Sequence, residues 1–258
     1  MKIFNIYIRQ LKTMSQSDIA KNIKDINERI KQAYLRRPKT INTAYPCLVA
    51  VSKTKPVELI LEAYKGGQRH FGENYVQELV EKAADKRIRE TCPDINWHYI
   101  GHLQSNKINK LLSVQNLYMI QTIDSIKLAD NLNNAVSKKE TNYQLKVLIQ
   151  VNTSAESEKH GVSPEDACNM FKYVKEKCTN LVVKGIMTIG SYGHSLEEGP
   201  NPDFQVLMNV YNHIYSLTAD EIIVSMGMSN DYEHAVEVGS SMVRIGSSVF
   251  GERVYQKS

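Results

Sequence analysis

Lys53 is the side chain in this sequence with the most chemistry within reach. The apolar run 48–51 leads directly into it. A lysine that an apolar strand delivers to the rim of a cavity is partly desolvated. Its pKa falls and its amine becomes a usable nucleophile. That is the setting for a Schiff base with an aldehyde or ketone. A solvated loop lysine and a plain phosphate clamp are the other readings of the same position. Lys184, within the apolar run 182–189, is a rival. Strand alternation sends Lys184 and Met187 to opposite faces, so only one of them can face an interior.

Two short segments near the end of the chain carry the next signal. Both Ser225-Met226-Gly227-Met228-Ser229 and Gly246-Ser247-Ser248 are rich in glycine and serine. Gly227 and Gly246 let backbone approach a ligand closely. Ser225, Ser229, Ser247 and Ser248 add hydroxyls, and Asn230 and Asp231 can cap a following helix, presenting N–H groups. The pattern fits a phosphate cradle as well as ordinary turn chemistry. Arg244 shares a strand face with Gly246. A permanent cation there can pair with phosphate, donate to a ring nitrogen, or form a structural salt bridge.

One ligand satisfies an amine-capturing lysine, a phosphate cradle and a ring partner together: pyridoxal 5'-phosphate. Arginine at the pyridine nitrogen keeps that nitrogen unprotonated, where aspartate would protonate it and make a stronger electron sink. No metal is expected. No HExxH or CxxC spacing is present, and His98 and His102 sit in a strand-to-loop stretch rather than on a helix.

These residues need elements to position them. Eight short apolar runs, 47–52, 69–73, 97–101, 117–123, 145–152, 182–189, 222–226 and 242–245, alternate with amphipathic stretches at 57–64, 76–89, 105–112, 126–138, 165–177, 204–217 and 232–238. Strands alternating with helices predict a parallel sheet. Eight units in this length predict a closed (β/α)8 barrel, with a doubly wound open sheet as the alternative. No GxGxxG follows the first run. Ile19, Ile23, Ile26, Ile30 and Ala33 predict an extra packing helix over 17–37, ahead of the barrel. Lys53, Asn74, Ser225, Arg244, Gly246 and Ser247 then fall at or just beyond strand C-terminal ends, where barrels keep their chemistry. The Gly/Pro-rich loop 190–202 is long enough to serve as a lid.

The domain reading is a basic extension at 1–14, weakly ordered, and one barrel domain at 15–258. Hydrophobic residues at 42% and charged residues at 23% exclude a disordered or low-complexity chain. No apolar run approaches the roughly 18 residues that would span a bilayer. A net charge of +4 is too mild to argue for nucleic acid. Four cysteines without paired spacing read as reduced thiols in an intracellular, cytoplasmic protein. Lys2, Arg9 and Lys12 without an acid leave a mitochondrial presequence open.

At these same residues the chain resembles the pyridoxal-phosphate homeostasis proteins, also called proline synthase co-transcribed homologues. Residues 49–56, V-A-V-S-K-T-K-P, are similar to that family's lysine motif. F-G-E-N-Y-V-Q-E at 71–78 and W-H-Y-I-G-H-L-Q-S-N-K at 97–107 resemble its second and third motifs. G-I-M-T-I-G at 185–190, S-M-G-M-S at 225–229 and V-R-I-G-S at 243–247 complete the series. The resemblance implies a barrel like the N-terminal domain of alanine racemase. It implies that Lys53 carries pyridoxal phosphate as an internal aldimine, with Arg244 at the pyridine nitrogen. It sets Ser225, Gly246 and Ser247 at the phosphate and Asn74 nearby. The implied role is vitamin B6 homeostasis without an established catalytic activity, with delivery of the cofactor to apo-enzymes; without the second domain of the racemase dimer, a monomer is expected. A racemase of narrow scope would need a second acid/base from Tyr75, His98 or Cys47. A cofactor-free aldolase using Lys53 is the third possibility.

Overall fold

The computed structural model describes residues 16–139, 143–156, 158–191, 199 and 201–252. Helix α1 (Gln16–Arg36) comes first. The alternation then runs β1 (Cys47–Val51), α2 (Val57–Lys65), β2 (His70–Glu73), α3 (Val76–Ala84), α4 (Lys86–Thr91), β3 (Asn96–Tyr99), α5 (Ile108–Leu111) and β4 (Leu117–Ile123). It continues through α6 (Ile126–Val136), β5 (Leu145–Gln150), α7 (Pro164–Lys177), β6 (Leu181–Met187), α8 (Pro202–Thr218), β7 (Ile223–Ser225), α9 (Tyr232–Val238), β8 (Met242–Ile245) and α10 (Ser247–Phe250). The strands pair in sequence order, all parallel, and β8 returns to β1 with Ala50 opposite Ile245, closing the barrel.

Closure gives every strand two buried faces, which is why the runs read as nearly continuous apolar stretches. Alternation then sorts them. Val49, Met119, Leu148, Met187 and Met242 form an inner cluster. Ala50, Phe71, Trp97, Ile120, Val147, Ile186, Val224 and Ile245 belong to the larger core shared with the helices. Lys184 is exposed while Met187 is fully buried, so Met187 holds the inward place.

α1 packs against α2, α9 and α10. Its stripe of Ile19, Ile23, Ile26, Ile30 and Ala33 is buried throughout. Just beyond it, the buried Arg37 donates to Val236 O at 2.7 Å, Ser240 O at 2.5 Å and Thr43 Oγ1 at 2.6 Å. These bonds tie the helix to the segment entering β8.

The stretch 76–89, read as one helix, is two. Asp85 is extended (φ −60°, ψ 128°) and its side chain accepts from Arg87 N at 2.9 Å, so it caps a new helix. The strand starting at 97 in hydropathy starts at Asn96 and stops at Tyr99, before the expected 101. The segment 246–248 opens a short helix the periodicity did not show, α10, capped at Gly246, because four residues are too few to reveal a period. The extension 1–14 and most of the expected lid (192–198 and 200) lie outside the described residues. Among those described, no helix is long and apolar enough to cross a membrane.

Met187→Ala would open a cavity in the inner cluster, one residue below a carbonyl that the site uses. We expect it to cost about 3 kcal/mol of unfolding free energy in urea titrations.

Candidate functional site

β1 carries Val49 and Val51 toward the interior, and Lys53 follows two residues later at the mouth. The turn that holds it is clamped from both sides. Ser52 N–H donates to Gly72 O at 3.0 Å, and Ser52 Oγ donates to Glu73 Oε1 at 2.7 Å. Lys82 Nζ donates at 2.7 Å to each of Ser52 O, Glu73 Oε1 and Glu78 Oε1. Thr54 adopts φ 62°, a left-handed conformation uncommon for threonine, and its N–H donates to Glu78 Oε1 at 2.6 Å. Lys55 Nζ donates to Gly251 O and Glu252 O at 2.9 and 2.8 Å. Burial pushes the Glu73 carboxyl up to about 7, against the pull of the Lys82 charge.

Lys53, Asn74, Ser229, Arg244, Gly246 and Ser247 line one cavity of about 390 Å³. Asn74 Oδ1 is buried without a hydrogen-bond partner. Arg244 is buried to 4% exposure, and among the described residues it forms no ion pair. Burial lowers its guanidinium to about 10, with the nearby Asp231 charge opposing. It still carries its charge at neutral pH.

A one-directional chain of hydrogen bonds aims that guanidinium. Arg244 donates to Thr188 O and to Ser225 Oγ, each at 2.7 Å. Ser225 Oγ donates to Gln121 Oε1 at 2.8 Å. The amide nitrogen of Gln121 meets His98 Nδ1 at 2.9 Å, and His98 Nε2 meets His70 Nδ1 at 2.8 Å. An amide nitrogen only donates, so His98 Nδ1 accepts and His98 Nε2 carries the proton passed toward His70. Burial holds His98 far below its ordinary pKa, hence neutral, as that assignment requires.

The rim after β7 and β8 is built from backbone. Gly227 adopts φ +93°, and a Cβ there would lie 2.5 Å from the Ala235 side chain, so glycine is required. Gly246 has an ordinary φ of −112°; what limits its size is Val51 O, 3.3 Å from where a Cβ would sit. The N–H groups of Gly246 and Ser248 both reach Ser229 Oγ, at 3.3 and 3.5 Å. Bonds that long are weak, and a phosphate oxygen could replace them. Asp231 stands at the N-cap of α9, but its side chain accepts backward from Met228 N at 2.7 Å rather than capping the helix.

The structure thus gathers Lys53, Asn74, Arg244, Gly246 and Ser247 around one cavity. Ser225 lies beneath them, fully buried, its hydroxyl spent between Arg244 and Gln121. Lys184, Tyr75, His98 and Cys47 do not line the cavity. Cys47 pairs with Met242 at the far end of the barrel, where burial pushes its thiol up to about 11. Sequence reasoning missed Gln121, and it placed Glu73 and Thr188 at strand ends without giving either a role. Inward parity from β4 could have flagged Gln121; nothing local marks the carbonyl of Thr188.

Residues 17–254 match the family described as alanine racemase, N-terminal domain. The human pyridoxal phosphate homeostasis protein is 51% identical over 238 residues, covering 91% of this chain and 86% of that one. The protein of the same name from Haemophilus influenzae is 38% identical over 244 residues, covering 93% and 98%. The structure of PipY from Synechococcus elongatus with PLP bound aligns with a TM-score of 0.72 at 28% identity, covering 90% of this chain and all of that one (100%). Alanine racemase from Clostridium difficile aligns with a TM-score of 0.68 at 13% identity over 92% of this chain and 60% of its own, a likeness of fold alone.

Two outcomes follow from this geometry. Gln121→Leu leaves His98 Nδ1 without its donor and the Ser225 hydroxyl proton without its acceptor, and should cost about 3 kcal/mol in chemical denaturation. The raised Glu73 pKa means that the folded state holds this proton more tightly than the unfolded chain. Its contribution is complete below the ordinary 4.5 and is lost as pH climbs through about 7. Thermal melts across pH 4–8 should therefore show a decline of up to about 3 kcal/mol that Glu73→Gln flattens.

Proposed function

The chain belongs to the pyridoxal phosphate homeostasis proteins, on the alanine racemase N-terminal domain, and from that premise we propose that it binds pyridoxal 5'-phosphate and acts in vitamin B6 homeostasis as a carrier of that cofactor. The observation that carries the reading is the buried Arg244, a cation that forms no ion pair among the described residues and lines the same cavity as Lys53. The donor set fits the group. A primary amine, an orphaned amide oxygen on Asn74, a fixed guanidinium and a rim of N–H and hydroxyl donors are what an aldehyde, a ring and a dianionic phosphate require.

In this reading Lys53 holds the aldehyde carbon, Arg244 the ring nitrogen, and Gly246 and Ser247 the phosphate, joined by Ser229. Ser225 serves through Arg244, whose orientation it fixes. When bound, the cofactor supplies an electrophilic carbon for the amine and an electron-accepting ring. The chain's own residues set how far that chemistry runs. Arg244 keeps its proton at neutral pH, so it donates to its partner and does not protonate it. Racemisation needs an acid/base on each face of the substrate. Tyr75, His98 and Cys47, the residues considered for the second face, stand away from the cavity lining. This supports carriage over racemisation. Free thiols at all four cysteines among the described residues accord with a reducing compartment. The proposed setting is the cytoplasm, or the mitochondrion if residues 1–14 act as a presequence, with apo-enzymes as recipients and the chain as a monomer.

Borohydride reduction of the cofactor-loaded protein, followed by peptide mapping, should place the label on Lys53, and Lys53→Ala should lack the long-wavelength absorption band. Arg244→Gln should weaken cofactor affinity about 10- to 100-fold by loss of a charge-assisted bond. Label on another lysine, or none, would sink the assignment. Sustained turnover of an amino acid would replace carriage with catalysis.

A further inference from the structure

A second constellation stands beside the Lys53 cavity and takes no part in the reading above. His102, Asp124 and His160 come from the loops after β3, β4 and β5, all at the C-terminal face. One ligand atom from each lies within 4.8 Å of the others. Asp124 Oδ2 is 3.2 Å from His102 Nδ1 and 3.9 Å from His160 Nδ1. Both rings therefore turn the same edge toward one carboxylate. The imidazoles are stacked, 3.6 Å apart and 9° from parallel. Spacing along the chain gave no sign of this group, because its three members meet only through separate loops.

The surrounding structure holds the three in place. Tyr99 Oη donates to His102 O at 3.0 Å, and Thr122 Oγ1 donates to Gly101 O at 2.6 Å. Gln150, from the end of β5, donates to His160 O at 2.8 Å. Tyr99, Thr122 and Gln150 are buried, so both histidine backbones are anchored by side chains the fold itself fixes. Asp124 is mostly covered, while the imidazoles are half-exposed and reachable from solvent. His102 and His160 line a cavity of about 210 Å³, together with Asn152 and Glu158.

Two imidazoles and a carboxylate form a borderline donor set, suited to a first-row divalent cation such as zinc rather than to calcium or magnesium. Ligand atoms bound at about 2.0–2.1 Å stand roughly 3.3 Å apart along a tetrahedral edge. The His102 to Asp124 distance already meets that, and His160 needs a small ring rotation. We propose that His102, Asp124 and His160 bind one zinc-class divalent cation at the mouth of the barrel, with an open coordination position facing the smaller cavity. Lys159, which lines the same cavity, donates to Glu156 Oε1 and Gly190 O, both at 2.7 Å. Asp124 gives the site its negative charge.

The test is equilibrium dialysis of the full chain against zinc alone, with elemental analysis of the retained metal. About one zinc per chain is expected. His160→Ala and Asp124→Asn should each weaken binding at least tenfold with an unchanged far-ultraviolet spectrum. X-ray absorption should report nitrogen and oxygen ligands, and Cys47→Ser should bind as the unsubstituted chain does. Lys53→Ala should also retain its zinc, which separates this site from the cofactor assignment. Sulfur ligation, equal uptake by His160→Ala and the unsubstituted chain, or no uptake at all would overturn the proposal.

Discussion

A guanidinium buried in the middle of a protein must be held on every side or it will not stay there. Arg244 is the constraint from which the site's organisation follows. Its charge is held without a salt bridge among the described residues, by a carbonyl and a hydroxyl. Desolvating a cation this fully is expensive. The cost is offset only if its donors are aimed and its open side faces something that wants a positive charge. The chain Arg244, Ser225, Gln121, His98, His70 does the aiming. Arg244 only donates, and Ser225, Gln121 and His98 each accept on one side and donate on the other, so reversing any of these three breaks its neighbours. The barrel interior is thereby divided. One part is a packed apolar cluster around Met119 and Met187, and the other is a polar column reaching from the base to the mouth.

The same logic operates around Lys53, with different chemistry. There the fold secures the turn and leaves the side chain to the cavity. Lys82, Glu73, Glu78 and Ser52 form a buried charged knot under the loop, and Thr54 accepts an unfavourable φ within it. A clamped backbone under Lys53 and a hydrogen-bonded guanidinium on Arg244 border the same cavity. The His102, Asp124 and His160 group uses neighbouring loops of the same face, in keeping with how barrels separate a stability-bearing base from a chemistry-bearing top.

Much of this was legible before any coordinates. The eight apolar runs overlap the eight strands, differing mainly at their ends, because a closed parallel sheet leaves no strand a solvent face to blur the signal. Lys53, Asn74, Gly246 and Ser247 were identifiable because they lie just past the ends of those runs and Arg244 because it shares a strand face with Gly246, and all five line one cavity. Ser225 was placed at the rim on composition, but its position within β7 turns it inward, where Arg244 claims it. The helix at 76–89 misled because amphipathic period continues across Asp85, while a capping side chain interrupts the backbone.

What the amino-acid order settles alone is what repeats locally: alternation, amphipathic period, and the residue types that end each strand. Those depend on neighbours a few positions away, and no distant contact changes them. Which donors converge is a different matter. His102 meets Asp124 and His160, and Gln121 meets Ser225 and His98, only because barrel closure and strand register set the spacing of loops far apart in the chain. Periodicity carries no information about register between distant strands, so those meetings belong to the tertiary structure.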